Sequence, residues 1–131
     1  MQQFIAQITL TVNDYDEAIA FYTQKLGFIL LEDTPLTPTK RWVRIAPASD
    51  SSCCLLLAKA VGEQQVQSVG NQTGGRVFLF LHTSDFDAYY QQLCAQQVTI
   101  VRAPTIEPYG KVAVFADLYG NLWDLIEPIK A

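Results

Sequence analysis

The stretch Ile5-Ala6-Gln7-Ile8-Thr9-Leu10-Thr11-Val12, running into Asn13-Asp14-Tyr15-Asp16, decides how this chain is read. Ile8, Leu10 and Val12 alternate with Gln7, Thr9 and Thr11, the period-two pattern of a strand with one apolar face. Asp14 then offers a helix N-cap, with Asp16 and Glu17 in the first turn, where carboxylates favour the helix dipole. Ala18, Phe21, Tyr22 and Lys25-Leu26 continue at helical spacing, and Gly27 stands where a C′ glycine ends a helix. The same order returns 71 residues further on. Ser84-Asp85-Phe86-Asp87 repeats Asn13-Asp14-Tyr15-Asp16, Leu79 and Leu81 repeat Ile8 and Leu10, and Phe78 takes the place of Gln7. A second helix is predicted over 85–96, with Phe86, Tyr89, Tyr90 and Leu93 as its apolar positions. Strand, cap and helix therefore occur twice, and such a repeat sets the architecture.

Short strands are expected after each helix, over 28–32, 41–46 and 53–58 in the first half and over 98–102, 111–116 and 121–127 in the second. Pro35, Pro38, Pro104, Pro108 and Gly110 punctuate them, and Asp117-Leu118-Tyr119-Gly120-Asn121 reads as a tight turn. Each half is thus βαβββ. The first module spans about 4–58 and the second about 76–131. The glycine-containing linker of about 59–75 has room for one helical turn near 61–68. With 131 residues, half of them hydrophobic, the expectation is one domain of class α+β over 1–131.

Composition excludes several functions. Nine basic residues against 13 acidic ones give a net charge of −4, and the basic residues are scattered, which argues against nucleic-acid binding. No apolar run approaches the roughly 20 residues of a membrane span. Met1-Gln2-Gln3-Phe4 lacks the basic and apolar regions of a signal peptide, so no membrane partner is expected. Three cysteines, Cys53, Cys54 and Cys94, make no disulfide framework and are read as small buried hydrophobes in a reducing, cytoplasmic compartment.

The alternation also predicts a cavity. One face of the strands is strongly apolar: Ile8, Leu10 and Val12; Val77, Leu79 and Leu81; Trp123 and Leu125. The other is mixed: Gln7, Thr9 and Thr11; Phe78, Phe80 and His82; Leu122, Asp124 and Ile126, joined by Trp42 and Arg44. A sheet curled around this second face makes a pocket with aromatic walls and a few polar groups, as small-molecule sites are lined. The plain alternatives are a solvated face, a dimer interface or ordinary packing.

The runs Ile8-Thr9-Leu10-Thr11-Val12-Asn13-Asp14, Ala18-Ile19-Ala20-Phe21-Tyr22 and Lys25-Leu26-Gly27-Phe28 resemble the vicinal oxygen chelate superfamily, which includes glyoxalase I, extradiol dioxygenases, fosfomycin-resistance enzymes and bleomycin-binding proteins. Val114-Phe115-Ala116-Asp117-Leu118-Tyr119-Gly120-Asn121-Leu122-Trp123-Asp124-Leu125 resembles its closing hairpin, with Asp117-Leu118-Tyr119-Gly120 in place of the usual Asp-Pro-Asp-Gly. The resemblance implies two tandem modules forming a curled eight-stranded half-barrel around a cavity, and a homodimer. Metal-using members offer one inward ligand from each of four strands. Carried over, those positions fall on Gln7, on Leu55 or Leu56, on Phe78 and on Asp124. Two of the four are apolar and donate no lone pair. Two oxygens make at best a weak site for a hard ion, zinc wants three or four protein ligands, and a single histidine excludes a two-histidine iron centre. No catalytic metal or other cofactor is therefore expected.

Single residues keep two readings each. His82 is either a rim histidine bonded to backbone or water, or a functional group, polar at the cavity mouth or proton-transferring. Arg44, if inward, needs an anion: Asp124, Glu107 or a ligand. Asp124, between Trp123 and Leu125, is either paired structurally or catalytic, with a perturbed pKa in both cases. Glu107-Pro108-Tyr109-Gly110 is a loop before a strand, with Tyr109 either a lid or a plain turn residue. Trp42 and Phe80 are either aromatic walls or core. Two functions follow. One is a metal-free small-molecule binding protein that holds its ligand among Trp42, Phe78, Phe80 and Tyr109, with Gln7, Thr9, Arg44, His82 and Asp124 adding polar contacts. The other is an enzyme: a glyoxalase-like lyase or isomerase using Gln7 and Asp124, or a metal-free one with Asp124 or His82 as base.

Overall fold

A computed structural model describes residues 1–129. The class is α+β, with eight strands in two four-stranded mixed sheets and three short helices among the described residues. The chain divides into two compact units after Val69. Among the described residues no helix is long and apolar enough to cross a membrane.

The first unit holds β1 (Gln7–Val12), α1 (Tyr15–Ala20), β2 (Ile29–Pro35), β3 (Arg41–Ala46), β4 (Cys54–Lys59) and α2 (Glu63–Ser68). Its strand order is β1-β4-β3-β2, with β1 parallel to β4 and the other pairs antiparallel. Asp14 caps α1 as expected, its Oδ2 accepting the Glu17 N–H at 2.8 Å. The apolar face predicted from alternation is the core: Leu10, Val12, Val43, Ile45 and Leu57 are buried with Ala18, Tyr22 and Leu26 of the helical segment. The short helix expected in the linker, α2, falls within this unit, and Ser68 Oγ donates to Thr11 Oγ1 at 3.3 Å.

The first helix does not stay α. Residues Phe21–Lys25 form a π turn, closed by the Leu26 N–H donating to the Phe21 carbonyl at 3.3 Å. Thr23 Oγ1 donates to the Ile19 carbonyl at 2.7 Å, giving that carbonyl a side-chain partner. Helical spacing alone could not separate this from an α turn.

The second unit holds β5 (Val77–His82), α3 (Phe86–Ala95), β6 (Thr99–Glu107), β7 (Gly110–Ala116) and β8 (Leu122–Pro128), in the order β5-β8-β7-β6 with β5 parallel to β8. The cap repeats atom for atom: Asp85 Oδ1 accepts the Ala88 N–H at 3.1 Å. Phe86, Leu93, Phe115, Trp123 and Leu125 form the core, with Phe115 and Trp123 stacked at 6.0 Å between ring centroids. After α3 the chain turns left-handed at Gln97 (φ 60°), where the first module uses Gly27 (φ 75°). The turn at Asp117 is tied by its own carboxylate. Oδ1 accepts the Tyr119 and Asn121 N–H groups and Oδ2 accepts the Asn121 side-chain amide, each at 2.9 Å, and both residues are buried.

Three expectations are corrected. Glu107-Pro108-Tyr109-Gly110 is not a loop but a tight hairpin, because β6 runs on to Glu107 and Glu107 pairs with Gly110. Gly110 is needed there: a Cβ would lie 2.5 Å from the Glu127 carbonyl oxygen. Pro104 sits inside β6 rather than beyond it, which an edge strand with a register irregularity between Arg102 and Thr105 tolerates. Of the cysteines only Cys54 is buried; Cys53 is half-buried, and Cys94 is exposed on α3.

Candidate functional site

Strand register assigns the mixed face of each sheet. In the first unit Thr9 pairs with Leu56, Leu56 with Arg44, and Arg44 with Glu32, giving one row across all four strands. In the second unit Phe80 pairs with Asp124, Asp124 with Val114, and Val114 with Arg102. The rows match position for position, and each is set by the same device. β2 carries one extra residue, Leu31, between the Leu30–Ile45 and Glu32–Arg44 pairs, and β6 carries one, Val101, between Ile100–Phe115 and Arg102–Val114. Were Leu31 an ordinary strand residue rather than a bulge, alternation from Leu30 would assign Glu32 to the face packed on α1. The extra residue turns it to the side of Arg44.

That bulge gives Arg44 a partner within its own sheet: its Nε donates to Glu32 Oε1 at 2.9 Å, a carboxylate not among the expected anions. Arg44 Nη1 also stands 3.8 Å from Cys54 Sγ, which in turn is 4.0 Å from Gln7 Oε1. A polar chain, Gln7–Cys54–Arg44–Glu32, thus crosses the sheet. The Glu32 carboxylate first, and the Cys54 sulfur second, raise the Arg44 pKa further above its usual value. Sequence reasoning missed Glu32 and took Cys54 as inert packing. The parity of β2 hid the first, and the apolar run Cys53-Cys54-Leu55-Leu56-Leu57 hid the second.

Asp124 stands in the corresponding row of the second unit, half-buried beside Phe80 and Val114. Burial raises its pKa above the ordinary carboxylate value, and the Arg102 guanidinium partly offsets this. Phe80 is 61% exposed, an aromatic ring open to ligand or solvent rather than core. Phe78 is half-buried and is the extra residue of a third irregularity, between the Val77–Leu122 and Leu79–Trp123 pairs, so the plain alternation expected from Val77 to His82 is broken there. His82 is exposed and lines a groove of about 380 Å³ with Thr83, Ser84 and Glu127. Glu127 is committed to the start of α3, where its Oε1 accepts the Phe86 N–H at 2.8 Å. Tyr109 is 59% exposed at the β6–β7 hairpin tip.

Trp42 is half-buried and lines a groove of about 570 Å³ at the end of the first sheet, with Leu56, Ala58 and Val61 as further apolar walls. That volume suits a drug-sized ligand. Arg41, at its edge, is held by a bidentate pair with Asp33 (2.6 and 3.0 Å), by Asp16 at 2.9 Å, and by stacking over Tyr15 at 5.1 Å.

The metal positions implied by the resemblance do not form a donor set. Leu55, one of the two candidates in β4, is buried on the face packed against α1, and only Leu56 lies in the row with Thr9. Gln7 points its oxygen at a thiol, and Asp124 has Phe80 and Val114 as its row neighbours. Among the described residues no group of three or more His, Cys, Asp or Glu side chains gathers as ligands. At two of the implied positions, Leu56 and Phe78, the side chains offer no lone pair to a cation.

Comparison with known proteins agrees with this architecture. An uncharacterized protein of Shewanella frigidimarina (strain NCIMB 400) is 52% identical over 128 residues, covering 97% of this chain and 95% of the relative. Among solved structures, UcmS2 superposes with a TM-score of 0.85 at 30% identity, covering 97% of this chain and 99% of its own. TnmS3, an antibiotic binding protein from Streptomyces sp. CB03234, superposes with a TM-score of 0.80 at 28% identity, with 98% of both chains covered. The sequence model of the Glyoxalase/Bleomycin resistance protein/Dioxygenase superfamily matches residues 4–125, and the chain belongs to that superfamily.

Proposed function

We propose that this chain is a small-molecule binding protein of its superfamily that holds an aromatic or amphipathic ligand against the mixed faces of its sheets, without a catalytic metal. The observation that carries this is the replacement of ligand positions by Leu56 and Phe78, alongside the exposed Phe80 and the Trp42 groove. Trp42, Phe78, Phe80 and Tyr109 serve as aromatic contacts, and Gln7, Thr9, Arg44, His82 and Asp124 as polar ones. The likeness to TnmS3, an antibiotic binding protein, supports binding of this kind. The working form is a homodimer within one domain per chain, in the cytoplasm, where three unpaired thiols are compatible with the redox state.

Two measurements test this. Aromatic and amphipathic compounds should raise the melting temperature, since a ligand that binds only the folded state stabilises it. After dialysis against nickel, zinc or manganese the protein should retain no stoichiometric metal. Retention of one equivalent, lost in Asp124→Ala, refutes the reading. Light scattering tests the homodimer.

One observation favours a second reading. Asp124 has a carboxyl pKa raised by burial on a face open to Phe80, which suits proton transfer to or from a bound substrate. In that case turnover without added metal disappears in Asp124→Asn while ligand binding persists.

A further inference from the structure

The Trp42 groove has a charge that the rest of the chain does not share. The molecule carries 13 acidic residues against nine basic ones, yet the groove is lined by Lys40, Arg41 and Lys59 and by no carboxylate. The topology explains the gathering. β3 begins at Arg41 and β4 ends at Lys59, and their antiparallel pairing brings Lys40, Arg41 and Lys59 to one end of the sheet.

The three cations are not equivalent. Arg41 is already neutralised by Asp33 and Asp16, which lie outside the lining. Lys40 and Lys59 are exposed, and neither makes an ion pair among the described residues. The same groove is walled by the apolar side chains of Trp42, Leu56, Ala58 and Val61. An aromatic plane against such a wall, with a negative group at its rim, satisfies both features at once. A cationic aromatic would meet two unneutralised ammonium groups, and like charges in a cleft oppose entry.

We infer that this groove binds an aromatic anion, an aryl carboxylate, with the ring against Trp42 and the carboxylate between Lys40 and Lys59. This rests on the small-molecule reading above and names the ligand class for that end of the first sheet.

The test uses the full chain and three probes of one ring system: 2-naphthoate, 2-naphthamide and 2-naphthylmethylammonium. Affinities are measured by calorimetry at low salt, and contact by the indole N–H signals of Trp42 and Trp123, told apart with Trp42→Phe. Naphthoate should bind about threefold to tenfold more tightly than naphthamide, the range set by two exposed charge contacts. The ammonium probe should bind most weakly, and the Trp42 signal should shift with naphthoate. In the double variant Lys40→Gln/Lys59→Gln the preference for naphthoate over naphthamide should vanish. Equal affinity of naphthoate and naphthamide, or a preference that survives the double variant, overturns the anion assignment and leaves small-molecule binding standing. Probe binding that leaves the Trp42 signal unmoved overturns the location. Failure of all three probes to bind counts against the small-molecule reading itself.

Discussion

The Arg44 guanidinium sits 2.9 Å from the Glu32 carboxylate because a single extra residue, Leu31, turns β2 over between them and Leu30. Both side chains are about one third exposed, so solvent screens the pair. Glu32→Ala should therefore move the thermal midpoint by no more than about 3 °C. Its larger effect should be on ligands: Arg44, freed of its counter-ion, should improve the affinity for anionic compounds over neutral ones. Thermal melts and competition binding check both.

Asp124 should make stability fall with pH. Burial raises its folded-state pKa above the unfolded value of 3.8. Between those two values the folded state holds a proton that the unfolded state has lost. The stabilising contribution is thus complete below the unfolded pKa and is lost as pH rises through the folded one. Asp124→Asn should remove this slope, and Arg102→Ala should raise the carboxyl pKa further. Urea denaturation across the acid range, with carbon NMR of the carboxyl group, measures both.

Gln97 holds a left-handed backbone, φ 60°, that glycine adopts without steric cost. It is exposed, so its side chain gives up little packing. Gln97→Gly should stabilise the fold by about 0.5–1 kcal/mol. A lower denaturation midpoint in the glycine variant would contradict the assignment.

Asp117→Ala should be costly. It removes three hydrogen bonds at 2.9 Å and strips the buried Asn121 amide of its acceptor. A loss of about 2–3 kcal/mol is expected from buried donors left without partners. Asp117→Asn, which keeps one acceptor oxygen, should lose less. Equilibrium unfolding compares the two.

The doubled βαβββ unit was legible because its signals are local: alternation in Ile8-Thr9-Leu10-Thr11-Val12, and a capping aspartate at the same place in each half. The superfamily was legible from the same runs. What escaped was set by register. Alternation counts residues along one strand, and an extra residue such as Leu31 or Phe78 changes which face follows without altering the composition. Hence Glu32 went unnoticed as the partner of Arg44, and Leu55 shared a position with Leu56 although only one lies in the Thr9 row. Exposure of Cys94 was hidden because a cysteine on a short helix carries no sign of which side it takes.

The π turn at Phe21–Lys25 makes the two halves unequal in phase. From Tyr22 to Phe28 the chain spans six steps and closes with the Phe28 N–H on the Tyr22 carbonyl. From Leu93 to Val98 it spans five and closes in the same way. Counterparts are therefore 71 apart at the caps, Asp14 and Asp85, but 70 apart at Phe28 and Val98. A chimera that splices one half's helix onto the other half's strands must gain or lose one amino acid at the junction. If it does not, everything downstream is rotated by about 100° around the helix axis.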